Sequence, residues 1–493
     1  MSHMDISAYA DAARLELDRI RGTELKPRDR LALPVQDMPC QEPAVRAGNM
    51  GEVASGYAPE QAMLEARRCL QCKNAPCVGG CPVRVDIPGF IAKIQEGDFA
   101  GACSVIKRTN LLPSICGRVC PQEKQCQMPC TVGKSLKGVE RAVQIGRLER
   151  FAADYERDSG LLSAPAHAAS TGKRVAVVGA GPAGLTCAVD LRREGHEVEV
   201  FEAFHKPGGV MVYGIPEFRL PKALVAAEAG VLESMGVRFN LNFLVGRTRK
   251  LSALLAEDGF AAAFIGTGAG LPKFMDIPGE NFVGVFSANE YLTRSNLMKA
   301  YEKGKAATPL YPSRRVAVLG GGNVAMDSAR MALRLGAEEV RILYRRTREE
   351  MPARAEEVVH AMEEGVKFDF LRSPTKILGD DKGRAAALEV LSYELGEPDE
   401  SGRRKPVPIR GSEAVEPFDT VIVAVGNDSN PLLARTTPEL AVDRHGHIIV
   451  DEKQKTSVER VYAGGDIVLG AATVILAMGE GRRAAAAINE VLQ

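Results

Sequence analysis

Two runs of four cysteines are the residues of this chain whose type and spacing imply chemistry most directly. RRCLQCKNAPCVGGCPV supplies Cys69, Cys72, Cys77 and Cys81 as C-x2-C-x4-C-x3-C-P, and CGRVCPQEKQCQMPC supplies Cys116, Cys120, Cys126 and Cys130. Thiols in such runs hold a metal ion or a redox centre. Zinc sites usually draw on two close pairs separated by a spacer. A third cysteine soon after C-x2-C, followed by Cys-Pro, is instead the pattern of bacterial iron-sulfur runs. Two 4Fe-4S clusters are the expectation, with a non-catalytic zinc-binding scaffold as the alternative. In such runs the cysteine before the proline ligates the other cluster. Cys69, Cys72 and Cys77 would then share a site with one cysteine of the second run, and Cys81 would cross to the second site. Spacing alone would also place Cys116 in that second site.

A second kind of chemistry is written at KRVAVVGAGPAGLTCAVDLRREGHEVEVFE, residues 173–202. An apolar strand, Gly179, Gly181 and Gly184 as G-x-G-x-x-G, a helix and a second strand ending at Glu202 form a βαβ dinucleotide fingerprint. Its glycines allow a tight turn, backbone approach to a pyrophosphate and close helix packing. The helix N-terminus supplies N–H groups and a positive dipole end for phosphate. Glu202 stands where an acid accepts from an adenosine ribose. A second fingerprint, RRVAVLGGGNVAMDSARMALRLGAEEVRILYRR, carries Gly320, Gly322 and Asn323 and ends its second strand at Arg345 and Arg346. An acid at that place repels a 2′-phosphate, whereas arginine offers charge and a planar donor fork. FAD is therefore expected on the first site, and NADPH in preference to NADH on the second.

Other stretches complete the nucleotide sites. PGGVMVYGIPEFRLPK brings Gly209 near the first ligand, AFIGTG is a strand ending in small residues, and TVIVAVGN is a strand ending at Gly426. The C-terminal ERVYAGGDIVLGAATVILAMGEGRRAAAAI supplies Gly465, Asp466 and Thr473. Asp466 would hold the ribitol, and the helix from about Ala472 would aim its N-terminus at the flavin ring, where its dipole favours negative charge.

The elements that must position these residues follow from length and pattern. A chain of 493 residues suggests about three domains. We expect an α/β protein with two Rossmann-like nucleotide-binding domains, one inserted in the other, preceded by an α-helical iron-sulfur domain. The expected bounds are 1–160 for the helical domain, 161–300 with 425–493 for the FAD domain, and 301–424 for the NADPH domain. Residues 5–21 have helical periodicity, the proline-bearing stretch to Tyr57 reads as an extended linker, and 87–110 reads as helices bridging the cysteine runs. Cys40 and Cys103 read as structural. Lys plus Arg equals Asp plus Glu, which disfavours a nucleic-acid partner. No apolar run is long enough to span a membrane, and the N-terminus carries acids where a signal peptide needs an apolar core, so the expected location is cytoplasmic.

RCLQC, CGRVCPQ, IGRLERF, GAGPAGL, YGIPEFRLPK, LGGGNVAMD, YRRTREEMPA and AGGD, in that order, resemble the glutamate synthase small (beta) subunit family. The chain is similar as well to the N-terminal half of dihydropyrimidine dehydrogenase and to the large subunit of NADH-dependent ferredoxin:NADP oxidoreductase. The resemblance implies one cluster on Cys69, Cys72, Cys77 and Cys130, and another on Cys81, Cys120, Cys126 and Glu149 of IGRLERF. Cys116 would then be a spare thiol, against the reading from spacing. It also implies an NADPH-dependent oxidoreductase that sends electrons through FAD and the clusters to a larger amidotransferase or redox subunit, or to ferredoxin. The alternative is a subunit of a ferredoxin:NADP oxidoreductase, including the bifurcating kind. Hydride transfer from NADPH to flavin rests on stacking and orientation, so no catalytic acid or base is expected.

Overall fold

The computed structural model describes residues 6–302, 304–399 and 402–493. Up to Asp158 the described chain is helical. Ile87–Glu96 and Phe99–Lys107 show why: each follows an aspartate, Asp86 or Asp98, whose carboxylate accepts from the backbone N–H of Gly89 or Gly101 at 3.0 and 2.9 Å. Such caps satisfy N–H groups that the first turn leaves unpaired. The apolar faces of these helices meet Pro113–Val119 and Ile145–Asp158 in a core that includes Phe90, Ile91, Ile106, Ile115 and Leu148. The first cysteine run follows the helix Pro59–Arg67 and precedes Ile87–Glu96, and the second begins on Pro113–Val119, which holds Cys116 and is capped by Cys120.

The proline-bearing stretch differs from the extended linker expected of it. It forms two short helices, Pro27–Ala32 and Pro43–Arg46, each opening on its proline, and a bridge between Cys40 and Ala54. Proline suits the first turn of a helix, where its missing N–H costs nothing, so the same residues that signal irregular chain here start helices. The helix expected over 5–21 is described at Ile6–Arg19, and residue 5 lies outside the described residues.

Two five-stranded parallel sheets follow, and they share one plan. In the first, the order is Val461–Ala463, Ala262–Ile265, Arg174–Val178, Glu197–Phe201, Arg238–Asn240. In the second it is Val285–Ser287, Thr420–Val423, Arg315–Leu319, Glu339–Tyr344, Lys367–Phe370. Parallel sheets are covered on both faces, which is why the central strands are unbroken apolar runs. Val175, Val177, Ile265, Val316, Val318 and Val421 are all buried.

The topology moves two stretches. Val285–Ser287 and its helix Ala288–Asn296 belong to the second sheet, whereas the sequence reading extends the first nucleotide domain to residue 300. TVIVAVGN straddles the expected boundary at 424/425 and reads as the strand by which the chain returns to the first domain; its TVIV pairs instead with Val285–Ser287 and Arg315–Leu319. A fully buried strand carries the same apolar pattern in either sheet, so periodicity alone does not say which sheet receives it. Antiparallel strands Arg372–Gly379, Ala385–Pro398, Arg404–Pro408 and Ala414–Pro417 extend the second domain.

Charged groups lock the two nucleotide halves together. Phe218 and Arg219, from the loop after the first fingerprint, insert against the helices Asn323–Arg334 and Ala355–Glu363. Arg219 Nη1 donates to both carboxylate oxygens of Asp327 at 2.7 and 2.8 Å and its Nε lies 3.2 Å from Glu357. The guanidinium of Arg334 lies 3.8 Å above the Phe218 ring. Arg46 reaches the same region from the N-terminal stretch and pairs with Glu364 at 3.0 Å.

Candidate functional site

The first fingerprint turn is held open on one side and packed on the other. A Cβ at Gly184 would stand 1.9 Å from the carbonyl oxygen of Gly179, so only glycine lets the helix Pro182–Arg193 start this close to its strand. At Gly181 the opposite holds: a Cβ there would meet no atom within 4 Å, which leaves room beside the helix N-terminus. Gly209 closes the far side, its backbone near Gly181 at a φ of 56°. Glu202 Oε2 accepts from Ala180 N and Oε1 from Phe204 N, both at 2.8 Å. Burial pushes its pKa up, while the N–H groups of Phe204 and Ala180 act against that shift. The acid is thus fixed beside the turn.

Gly465, Asp466 and Thr473 arrive at the same turn from the chain's far end. Gly465 at a φ of 82° packs near Ala183, and its N–H donates to Glu480 at 3.0 Å. Burial pushes Asp466 up to about 6, against the N–H of Ala472, which donates to its carboxylate at 3.3 Å. Thr473 caps the helix Val474–Leu492, its hydroxyl accepting from Leu476 N at 3.3 Å. Tyr213, which no sequence signal singles out, lies where the charges of both Asp466 and Glu202 act on its hydroxyl; burial is the larger cause that raises it to about 12. Its place within YGIPEFRLPK is the clue that the sequence offers.

In the second fingerprint, Gly320 takes a φ of 136° and a Cβ there would meet the Ala424 carbonyl at 2.3 Å. Gly322 caps the helix Asn323–Arg334. The side-chain oxygen of Asn323 accepts from Arg354 N at 2.9 Å, so that oxygen braces the loop after the strand rather than facing a nucleotide freely. Arg345 and Arg346 differ. Arg346 is 6% exposed, and its guanidinium donates to the Arg404 carbonyl and to Asp399, each at 2.7 Å. Arg345 is exposed and makes no ion pair among the described residues. Of the two, Arg345 therefore presents the uncommitted guanidinium at the strand end.

The cysteines fall into two neighbourhoods. Cys130 lies near enough to Cys69 and Cys77 for its charge to act on both, and Cys72 acts on Cys69. Burial is the larger influence and pushes Cys69 to about 11 and Cys77 to about 12. In the second neighbourhood Cys81 is raised to about 11 by burial, with Glu149 and Cys120 adding to it. Cys126 is raised by burial and then by Glu149, Cys120 and Cys81, with Cys77 of the first neighbourhood adding the least. Buried sulfurs and a carboxylate that repel one another's ionised forms make a donor set suited to a cationic iron centre. Among the described residues, no three such side chains close tightly around a single metal ion.

Glu149 is buried, which pushes it up to about 8, and Asn110 Nδ2 donates to its Oε1 at 2.6 Å. Cys116 is buried beside this pair, with Sγ 3.6 Å from Asn110 Oδ1 and 3.6 Å from Met478 Sδ. Sequence reasoning misses Asn110 and Met478, since neither belongs to a motif. Met478 lies on the helix that Thr473 caps, and that helix also meets the second neighbourhood elsewhere. A Cβ at Gly479 would lie 3.4 Å from the Pro82 carbonyl, and Gln125 Nε2 donates to Thr473 Oγ1 at 3.2 Å. One helix thus joins the Asp466 end of the first nucleotide site to the second cysteine neighbourhood.

Comparison with known proteins places these features in a family. Residues 46–161 match the model for dihydropyrimidine dehydrogenase domain II, 4Fe-4S cluster, and residues 173–489 match that for pyridine nucleotide-disulphide oxidoreductase. The glutamate synthase (NADPH) small chain of Halomonas elongata is 38% identical over 92% of this chain and 96% of its own length. The NADP(+)-dependent formate dehydrogenase subunit beta of Moorella thermoacetica is 38% identical over 85% of this chain and 60% of its own length. In fold, FprA from Mycobacterium tuberculosis in complex with NADPH superposes with a TM-score of 0.53 and 21% identity, covering 65% of this chain and 83% of that one. The chain therefore belongs to the glutamate synthase small-chain family of pyridine nucleotide oxidoreductases, with a helical 4Fe-4S domain ahead of its two nucleotide-binding sheets.

Proposed function

We propose that this chain is an electron-input subunit that oxidises NADPH and passes the electrons to a larger partner, as in glutamate synthase. The observation that carries the reading is the helix Val474–Leu492, which runs from Thr473 beside Asp466 to Met478 and Gly479 beside Cys116 and Pro82. When bound, FAD converts hydride into single electrons, and 4Fe-4S clusters carry electrons singly. The chain's own residues hold and orient these groups. The turn at Gly179, Gly181 and Gly184, with Gly209 behind it, receives a pyrophosphate at a helix N-terminus. Glu202 accepts from a ribose hydroxyl through lone pairs its two backbone bonds leave free, and Asp466 faces the ribitol. Gly465 and Thr473 set the start of the C-terminal helix, whose positive end favours negative charge on the reduced ring.

On the second sheet, Gly320 and Gly322 shape the pyrophosphate turn, Asn323 fixes the neighbouring loop, and Arg345 binds the 2′-phosphate of NADPH. Arg346 supports Arg345 by anchoring the strand end to Asp399. Cys69, Cys72, Cys77 and Cys130 hold one cluster; Cys81, Cys120, Cys126 and Glu149 hold the other, and Cys116 remains a thiol. The equal identity to a formate dehydrogenase beta subunit supports a second type of partner, a redox subunit without amidotransferase activity. Anaerobic purification of the natively expressed protein tests the reading. About one flavin and about eight irons per chain, with a larger co-purifying subunit, are expected. Zinc in place of iron would refute it, and glutaminase activity in the partner separates the first type from the second.

A further inference from the structure

The two cysteine neighbourhoods differ in what covers them. The second lies under the C-terminal helix of the first nucleotide domain, through Cys116, Pro82 and Gln125. The first meets the N-terminal stretch instead, where Arg30 Nη1 donates to the Cys69 carbonyl at 3.1 Å, and it is open on its Cys72 side. Gln71, Lys73 and Asn74 are exposed around Cys72, and Met128, two residues before Cys130, is 60% exposed. The Cys72 Sγ lies 3.4 Å from Thr131 Oγ1, at the start of the helix Thr131–Ser135. The residues after that helix fold back on it: Gly138 N donates to the Gly133 carbonyl at 3.0 Å and Lys137 N to the Lys134 carbonyl at 3.3 Å. Lys73 follows Cys72, Lys134 lies on the helix that Thr131 opens and Lys137 just past it, and Arg141 Nη1 donates to the Leu136 carbonyl at 3.4 Å. The four therefore stand along the chain beside one cysteine site, and all four are exposed.

This edge is basic although the molecule as a whole is neutral. The chain carries 63 basic and 63 acidic residues and is neutral overall. Within 71–76 and 128–142 stand four basic residues and the single acid Glu140. Glu140 lies 3.8 Å from Arg141, and both are largely exposed. Lys73, Lys134 and Lys137 make no ion pair among the described residues. A basic rim around one exposed apolar residue steers an acidic surface and seats it, since complementary potentials act mainly on encounter rate and register.

We propose that Lys73, Lys134, Lys137 and Arg141, around Met128, form the docking face for an acidic single-electron redox protein, which meets this chain over the Cys69, Cys72, Cys77 and Cys130 site. This rests on the electron-input reading above. Each NADPH gives up a hydride, which is a proton and two electrons, and leaves as NADP+; the proton goes to solvent, and two successive encounters at this face each take one electron, reducing two oxidised partner centres with no bond formed. The full-length holoprotein tests it, with an acidic ferredoxin as probe and NADPH as donor. Lys73→Glu, Lys134→Glu and Lys137→Glu together should lower kcat/KM for the ferredoxin about tenfold or more at low salt, and the difference should shrink as salt rises. Reversing Lys250, Lys382 and Lys405, exposed elsewhere, should leave it unchanged. Equal rates for the rim variant and the parent would overturn the docking face. Ferricyanide reduction by NADPH separates the two ideas: it should survive in the rim variant, and its absence in the parent would instead sink the electron-input reading.

Discussion

Replacing Arg219 with methionine isolates the contact that fixes the second nucleotide domain against the flavin-side loop. The guanidinium supplies two hydrogen bonds to Asp327, at 2.7 and 2.8 Å, and lies 3.2 Å from Glu357. Asp327 is 3% exposed and Glu357 6%, so neither is freely solvated when the arginine is removed. Glu357 keeps Arg330 as a partner. Asp327 loses the side-chain donor it shares, and breaking such a buried pair from one side costs about 3–5 kcal/mol. Replacing both members with apolar residues, as Arg219→Met with Asp327→Leu, removes the stranded charge and should recover at least about 2 kcal/mol of that loss. Urea unfolding followed by far-ultraviolet circular dichroism reads both variants at about pH 7.5; the chain has no tryptophan to report by fluorescence. A single variant within about 1 kcal/mol of the parent, or a double variant no better than the single, would refute the reasoning.

Three further outcomes follow from the same contacts. Arg345→Ala should raise KM for NADPH by about tenfold or more with little change for NADH, as expected for loss of a charge-assisted phosphate contact, whereas Arg346→Ala should chiefly lower stability, because its guanidinium holds Asp399 and the Arg404 carbonyl. Glu149→Ala should cost about four irons per chain and remove one reduced-cluster EPR signal; two unchanged signals would remove Glu149 as a ligand. Acid titration reads the buried acids: although burial acts to raise them, Arg219 and Arg330 bring Glu357 down to about 2, and Arg330 and Arg334 do the same for Glu364. A depressed folded pKa stabilises above the unfolded value, so this stability should be present above about pH 4.5 and disappear as pH falls toward 2. Glu364→Gln should weaken that dependence, and an unaltered acid profile would show that the network does not carry it.

The parts of the molecule legible from sequence are those where one residue type is physically required. Gly184 sits 1.9 Å, by its absent Cβ, from the Gly179 carbonyl, and no other residue fits there. The cysteine runs are legible for a related reason, since clustered thiols have few other uses. What stays hidden depends on partners distant in the chain. Arg345 and Arg346 are equivalent as letters, and only the approach of Asp399 makes one structural and leaves the other free. TVIV would suit either parallel sheet, and pairing with Val285–Ser287 decides it. Asn110 is an unremarked residue until the fold sets its amide 2.6 Å from Glu149.

An anaerobic NADPH titration, followed by visible absorption and by EPR of frozen samples, reads the electron path from nicotinamide through flavin to the clusters. NADPH should bleach the flavin, and reduced-cluster EPR signals should grow in the same titration, because the helix Val474–Leu492 joins the two sites. Flavin that bleaches fully while dithionite-reducible clusters stay oxidised at a potential NADPH can reach would contradict it.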